Sequence, residues 1–174
     1  MTPRVSVQTE DFDLAAEAAA LEATGAGAVV TFTGVVRDVP DPNGAGGLRW
    51  MELEHYPGMT TAALEAIAAR AADRWLLTGA TVIHRHGRLA PGARIMMVGT
   101  ASAHRKAAFE AAEFLMDYLK SRAPFWKKEV TADGEAWVAA CDADESALAR
   151  WDRADGMNAR RPPGPSRGAR TWLA

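Results

Sequence analysis

Five basic side chains in this sequence have the types and spacing to handle an anion: Arg37, His104, Arg105, Lys120 and Lys127. Four of them fall within residues 102–129, SAHRKAAFEAAEFLMDYLKSRAPFWKKE, where cations gather at both ends of one amphipathic run. At its C-terminal end Lys120 and Arg122 suit a helix dipole and can be simple dipole partners. At its N-terminal end His104, Arg105 and Lys106 are not expected on that ground, because the dipole there attracts negative charge. A helix start flanked by such groups is instead an arrangement that holds a phosphate or carboxylate. A lysine held among other cations surrenders its proton more readily, and so can act as acid, base or nucleophile. The same residues would also finish a helix and decorate an edge strand, and spacing alone does not separate the two readings.

The elements that must position these groups are legible in the pattern. Phe109, Ala112, Met116 and Leu119 recur at helical spacing and predict one apolar helix face, ended by Ala123-Pro124. Phe-Trp-Lys-Lys-Glu then reads as a strand. Its alternation sets Phe125, Lys127 and Glu129 on one face and Trp126, Lys128 and Val130 on the other, so regular geometry cannot send both lysines into one pocket. EAWVAAC (135–141) follows as a second strand through Ala132-Asp133-Gly134, a hairpin signal. AVVTFTGVVRD (28–38) is a β-branched strand in which Gly34 marks a bulge or a close backbone approach. That feature brings Arg37 toward a site, or leaves it a solvated arginine beside an ordinary bulge.

The remaining chain supplies the frame. Residues 4–8 alternate as a short strand, and Asp11 or Asp13 can cap a helix over 14–23. LRWMELEHYP (48–57) is a strand with Leu48, Trp50, Glu52 and Glu54 on one face and Met51, Leu53 and His55 on the other. Thr60 or Thr61 can cap the next helix, which runs to about Trp75 with Leu64, Ile67, Ala68, Ala71 and Trp75 inward. ATVIHRHGRL (80–89) and RIMMVGTASA (94–103) read as strands. His84 and His86 would share a strand face, but no third ligand is spaced to join them, so no metal site is predicted. Residues 39–47 are a loop, 142–152 a short helix, and from Arg153 the composition turns to Arg, Pro and Gly, as in a flexible tail. The expected fold is α+β: one domain over residues 1–152 with a largely antiparallel sheet, two main helices packed on it and a C-terminal hairpin, followed by the tail 153–174.

Composition narrows the class. With 48% apolar residues, a chain of 174 residues has ample material for a core. No apolar run approaches the roughly 20 residues that span a bilayer, and the acidic, alanine-rich start does not read as a signal peptide. A lone cysteine, Cys141, excludes an internal disulfide and a multi-cysteine metal site, and fits a reducing cytoplasm. In its apolar strand it reads as a packed small residue. Residues 150–174 carry six arginines against two aspartates, so the body before them is acidic although the whole chain has a net charge of −2. An acidic body with one basic patch suits a specific anionic ligand better than nucleic acid, and only Phe125-Trp126 interleaves aromatic rings with the cations. The glycines fit neither GxGxxG nor GxxxxGK[ST], and no cofactor is expected.

Five stretches, taken together and in order, resemble the large, catalytic subunit of molybdopterin synthase. They are GAVVTFTGVVRD (27–38), LEHYPGM (53–59), VIHRHGRLAPG (82–92), SAHRKAAFEA (102–111) and MDYLKSRAPFWKKE (116–129). The resemblance covers residues 25–151 and leaves the tail outside. It implies a hammerhead-like α/β fold and a sulfur transferase that inserts two sulfurs into cyclic pyranopterin monophosphate, forming the dithiolene of molybdopterin. The sulfur would arrive as a thiocarboxylate on the C-terminal Gly-Gly of a small ubiquitin-like partner. Two large subunits would pair at the centre of a heterotetramer, with a small subunit at each end. By the same resemblance Lys120 matches the principal catalytic lysine and Lys127 the second. Arg37, His104 and Arg105 match residues holding the phosphate and pterin, partly across the dimer interface. Lys128 and Glu129 continue the binding segment, and Phe32 and Met116 match positions lining the pocket. Val35 departs from the pattern, standing where several members carry a basic residue. A different class remains open on the residues alone: a non-catalytic module or scaffold whose basic patch docks an acidic protein or RNA.

Overall fold

Runs of β-branched and alternating residues form eight strands, and the alanine-rich runs three helices, in a computed structural model that describes residues 1–38, 47–138 and Trp151. The order is β1 (Arg4–Gln8), α1 (Leu14–Glu22), β2 (Ala28–Val35), β3 (Trp50–His55), α2 (Met59–Trp75), β4 (Gly79–Arg85), β5 (Gly87–Leu89), β6 (Arg94–Ser102), α3 (Arg105–Arg122), β7 (Phe125–Val130) and β8 (Glu135–Trp137). The α+β reading holds, with the strands divided between two four-stranded sheets ordered β1-β4-β6-β2 and β5-β3-β7-β8. Every pairing is antiparallel except β1 with β4. The bulge expected at Gly34 is a register shift between Gly34 and Val35.

Alternation along β6 decides how the helices are layered. Met96 and Val98 join Leu64, Ala68, Phe114 and Leu115 of α2 and α3, with Met51, Leu53, Leu89 and Phe125 of the second sheet in the same core. Met97 and Ala101 face the other way, toward Phe12 and Leu21 at α1. There α1 lies so close to β6 that any side chain at Gly99 would collide with Leu21. Asp13 caps α1, accepting from the amides of Ala15 (2.9 Å) and Ala16 (3.1 Å). By contrast α2 starts at Gly58 with φ of 80° and no side-chain cap. Thr60, expected as a cap, is buried and its hydroxyl lies 3.4 Å from the carbonyl of Pro124.

Two expectations are corrected. The apolar stripe of α3 is Ala108, Ala111, Ala112, Leu115, Tyr118 and Leu119, with Phe114 beside it. Phe109 is 63% exposed and Met116 only half-buried. The small Ala108 lets the helix settle against β6, where the Thr100 hydroxyl donates to the Ala108 carbonyl at 2.8 Å, and Phe109 is left on the flank. The run 80–89 is also not one strand. Gly87, at φ of 81°, turns the chain out of the first sheet and into the second, a conformation glycine adopts without a Cβ penalty. The predicted segment 142–152 lies outside the described residues apart from Trp151, which is helical. Its indole packs edge-on against Phe114 and Trp75 and donates to Asp117 at 2.6 Å. Cys141 and the loop residues 39–46 lie outside them too.

β4 ends at Arg85, and His84 and His86 take different ring partners. His84 is fully buried, stacked on Phe125 with centroids 3.7 Å apart, and its Nδ1 lies 2.8 Å from the Arg85 carbonyl. His86 instead meets His55, with ring centroids 4.4 Å apart. Burial pushes the His84 imidazole down to about 4. Above about pH 6.5 the ring is neutral in the folded and unfolded chain alike, and the stability is whole. As pH falls from there, the unfolded chain takes up a proton that the folded chain refuses, so stability drains away until the pH passes about 4. The total loss is roughly 3 kcal/mol. Urea denaturation midpoints at pH 7 and pH 4.5 should therefore converge in a His84→Leu variant. An acid limb as steep as that of the natural chain would show that His84 is not its source.

Candidate functional site

The junction of α3 with β7 carries a lysine on either side, Lys120 in the helix and Lys127 in the strand. The helix stops because Ala123, ahead of Pro124, adopts extended backbone (φ −73°, ψ 129°). Lys120 sits in the last turn, half-buried, between the buried residues Leu119 and Ser121. Lys127 is the third residue of β7, opposite Leu53 of β3, on the face that Phe125 turns into the core. Its side chain is only 8% exposed, and its ammonium pairs with the Glu129 carboxylate at 3.2 Å.

Alternation sorts the neighbouring residue to the other face. Lys128 lies between the carboxylates of Glu52 (3.2 Å) and Glu135 (3.4 Å), with its ammonium 5.3 Å from the Trp137 ring centroid. The hydrogen bond to Glu52 raises its pKa, so the ammonium stays charged. Glu129 thus joins Lys127, and Lys128 does not.

Arg37 is delivered to the same end of the molecule by strand pairing. The chain leaves β2 beside the start of β6: Val36 donates to the Ala93 carbonyl (2.9 Å), and Gly92 donates to that of Val36 (2.8 Å). Arg37 follows, exposed. Since β6 runs away from this end and α3 runs back, the last turn of α3 returns here with Lys120. Phe125 stacked on His84, which pairs with Met96 near the start of β6, fixes β7 at the same end.

His104 and Arg105 are not part of that gathering. His104 is the N-cap of α3 without a side-chain capping bond, and Arg105 opens the helix. Both are exposed, at the end of β6 where Gly27 donates to the Ser102 carbonyl. Lys120 lies 15 residues along the helix from Arg105, an axial separation of about 22 Å. Within one copy of the chain, then, the candidate cations fall into two groups at opposite ends of α3.

Between those groups runs a flank on which the buried Ala112 and half-buried Met116 stand beside the exposed Phe109. Arg105, Phe109, Ala112, Met116 and Lys120 recur at steps of four, three, four and four, which keeps them in line on one side of the helix. Beside it β2 is an edge strand carrying Phe32, 39% exposed, opposite Val98. Cations at both ends with apolar groups between them make a stripe that matches itself when reversed. Periodicity takes both Phe109 and Met116 inward; Met116 packs half-buried against the core, and Phe109 does not. Among the described residues no group of three or more His, Cys, Asp or Glu side chains is arranged to hold a metal ion.

A family model described as MoaE protein matches residues 7–122. A molybdopterin synthase catalytic subunit from Cereibacter sphaeroides is 64% identical over 150 residues, covering 85% of this chain and 99% of that protein. One from Mesorhizobium japonicum is 56% identical over 155 residues, 87% of this chain and 94% of that protein. Among solved structures, a molybdopterin biosynthesis MoaE protein from Burkholderia ambifaria is 50% identical, covers 90% of this chain and 99% of its own, and superposes with a TM-score of 0.72.

Proposed function

The chain belongs to the MoaE protein family, and on that premise we propose how its residues carry out the work of a molybdopterin synthase catalytic subunit. As such it is an enzyme subunit of molybdenum cofactor biosynthesis. The substrate is cyclic pyranopterin monophosphate, and the sulfur comes as a thiocarboxylate on the C-terminal tail of a small ubiquitin-like subunit. The observation that carries this reading is the pair of lysines flanking the α3–β7 junction, Lys120 in the last helical turn and Lys127 buried in the strand that follows. Every reacting species in the scheme is an anion, and such a pair stabilises negative charge where water is largely excluded.

Arg37, His104 and Arg105 hold the cyclic phosphate and stabilise the oxyanion released as its ring opens. Lys120 relays protons while the thiocarboxylate sulfur bonds to the pterin side chain and water then cleaves the acyl–sulfur bond to the tail. Lys127 stabilises charge on that sulfur and on the tail carboxylate left behind. Phe32 and Met116 line the approach. Because His104 and Arg105 sit about 22 Å from Lys120 along α3, they serve the site of a second copy. The reversible stripe from Arg105 to Lys120 suits such a two-fold pairing, in which each end meets the other's opposite end. Residues 1–152 form the catalytic unit and 153–174 an appended segment. No described helix is long and apolar enough to cross a membrane, and we place the reaction in the cytoplasm.

Arg37 grips the substrate before chemistry begins, so Arg37→Ala should raise KM for the pterin about tenfold with a smaller change in kcat. Steady-state kinetics with a saturating thiocarboxylated partner reads this directly. An unchanged KM would remove Arg37 from the site.

A further inference from the structure

We propose that Glu129 is a positioning residue that occupies the anion place on Lys127 at rest and yields it to the terminal carboxylate or thiocarboxylate of the partner's tail. The proposal rests on the tail-delivered reaction above and names what the tail replaces. A buried ammonium is costly unless it is paired, and Lys127 is 8% exposed. Among the described residues its one ion-pair partner is Glu129, at 3.2 Å. Lys128 is held differently, clasped by two carboxylates and an indole ring, and has no partner free to leave.

Glu129 has room to withdraw. It is 28% exposed and borders an open depression of about 270 Å³ shared with Thr131, Asp133, Gly134 and Glu135. Exchanging one carboxylate for another keeps the ammonium paired before and after the tail enters, so neither state strands a buried charge. The displaced Glu129 turns outward into solvent, where a carboxylate needs no partner. An uncharged tail end could not complete this exchange, and Lys127 would thereby discriminate between charged and blocked ends.

The test is calorimetric binding of a synthetic hexapeptide ending in Gly-Gly, as the free acid and as the C-terminal amide, to the full chain. The natural chain should prefer the acid. Glu129→Gln, which keeps the shape but removes the competing charge, should bind the acid about tenfold more tightly and the amide unchanged. Glu129→Asp should behave as the natural chain. Equal or weaker acid binding by a folded Glu129→Gln would overturn the proposal. Should that variant not fold, the Glu129 carboxyl carbon resonance of the natural chain, followed by NMR, should move when the acid peptide is added and stay in place with the amide. A resonance unmoved by the acid peptide would overturn the proposal equally. If the natural chain binds neither peptide, tail delivery itself fails, and this proposal falls with it.

Discussion

Lys120→Ala should lose about 10³-fold in turnover while still capturing the small sulfur-carrying subunit. The substitution is gentle to the fold. Lys120 lies in a helical turn whose register is held by the buried side chains of Leu119 and Ser121, and alanine is the residue a helix tolerates best. What disappears is a lysine at a helix end, half-open to solvent, where protons can come and go. The assay is dithiolene formation from cyclic pyranopterin monophosphate and a thiocarboxylated partner, with complex formation followed separately. Lys120→Arg sharpens the result. An arginine keeps the charge but does not give up its proton, so a dead arginine variant assigns proton relay and a working one assigns charge alone. Turnover near that of the natural chain in Lys120→Ala would take Lys120 out of the mechanism.

Mixing two inactive variants should restore activity. Lys120→Ala and Arg105→Ala each disable both sites of a homodimer, if every site draws Lys120 from one copy and Arg105 from the other. In a mixed dimer one site inherits both lesions and its twin inherits neither. Random pairing of equal amounts then leaves about a quarter of all sites intact, so activity should climb from near zero to about a quarter of the natural level. The measurement is turnover after the two variants are denatured and refolded together, against each refolded alone. No recovery, with mixed dimers demonstrated by mass spectrometry, would mean that Arg105 and Lys120 do not act across two copies. The roughly 22 Å between them along α3 would then have to be explained by Arg105 standing outside the site.

Much of this frame could be read from local pattern. Asp13 announced the start of α1, Pro124 the end of α3, and Gly134 the turn between β7 and β8, because each of those signals acts on its own neighbours. Alternation along β7 alone separates Lys127 and Glu129 from Lys128, and the ion pairs follow that division. What stayed hidden depended on distant contacts. The glycine at position 87 sits inside a run that alternates without interruption, and only the second sheet, built from β3 and β7, gives the chain a reason to turn there. On α3 the spacing places Ala112 and Leu119 inward as found, but takes the large Phe109 inward too, where the position against β6 is held by the small Ala108. That His104 and Arg105 stand far from Lys120 already follows from a helix with cations at both ends, but no spacing shows that Arg37 comes to the Lys120 end, since that follows from α3 folding back along β6. Nor is Gly58 recognisable as the start of α2 when two threonines offer themselves just after it.

The corner at Gly87 also fixes how many residues this part of the chain can contain. Gly87 faces Leu53 across one ladder, and Leu53 faces Lys127 across the next, so the three lie in a single row. Upstream, β4 is pinned on both sides, by β1 and by β6. A one-residue insertion between Val82 and Gly87 could not be absorbed by β4, and it would push β5 one step along β3. Every side chain of β5 would then exchange its inward and outward places. Deletions are trapped in the same way. Length polymorphism, whether acquired in evolution or spliced in as a tag, belongs at turns such as 132–134, and a frame-preserving indel between 82 and 89 should be among the least tolerated changes in the chain.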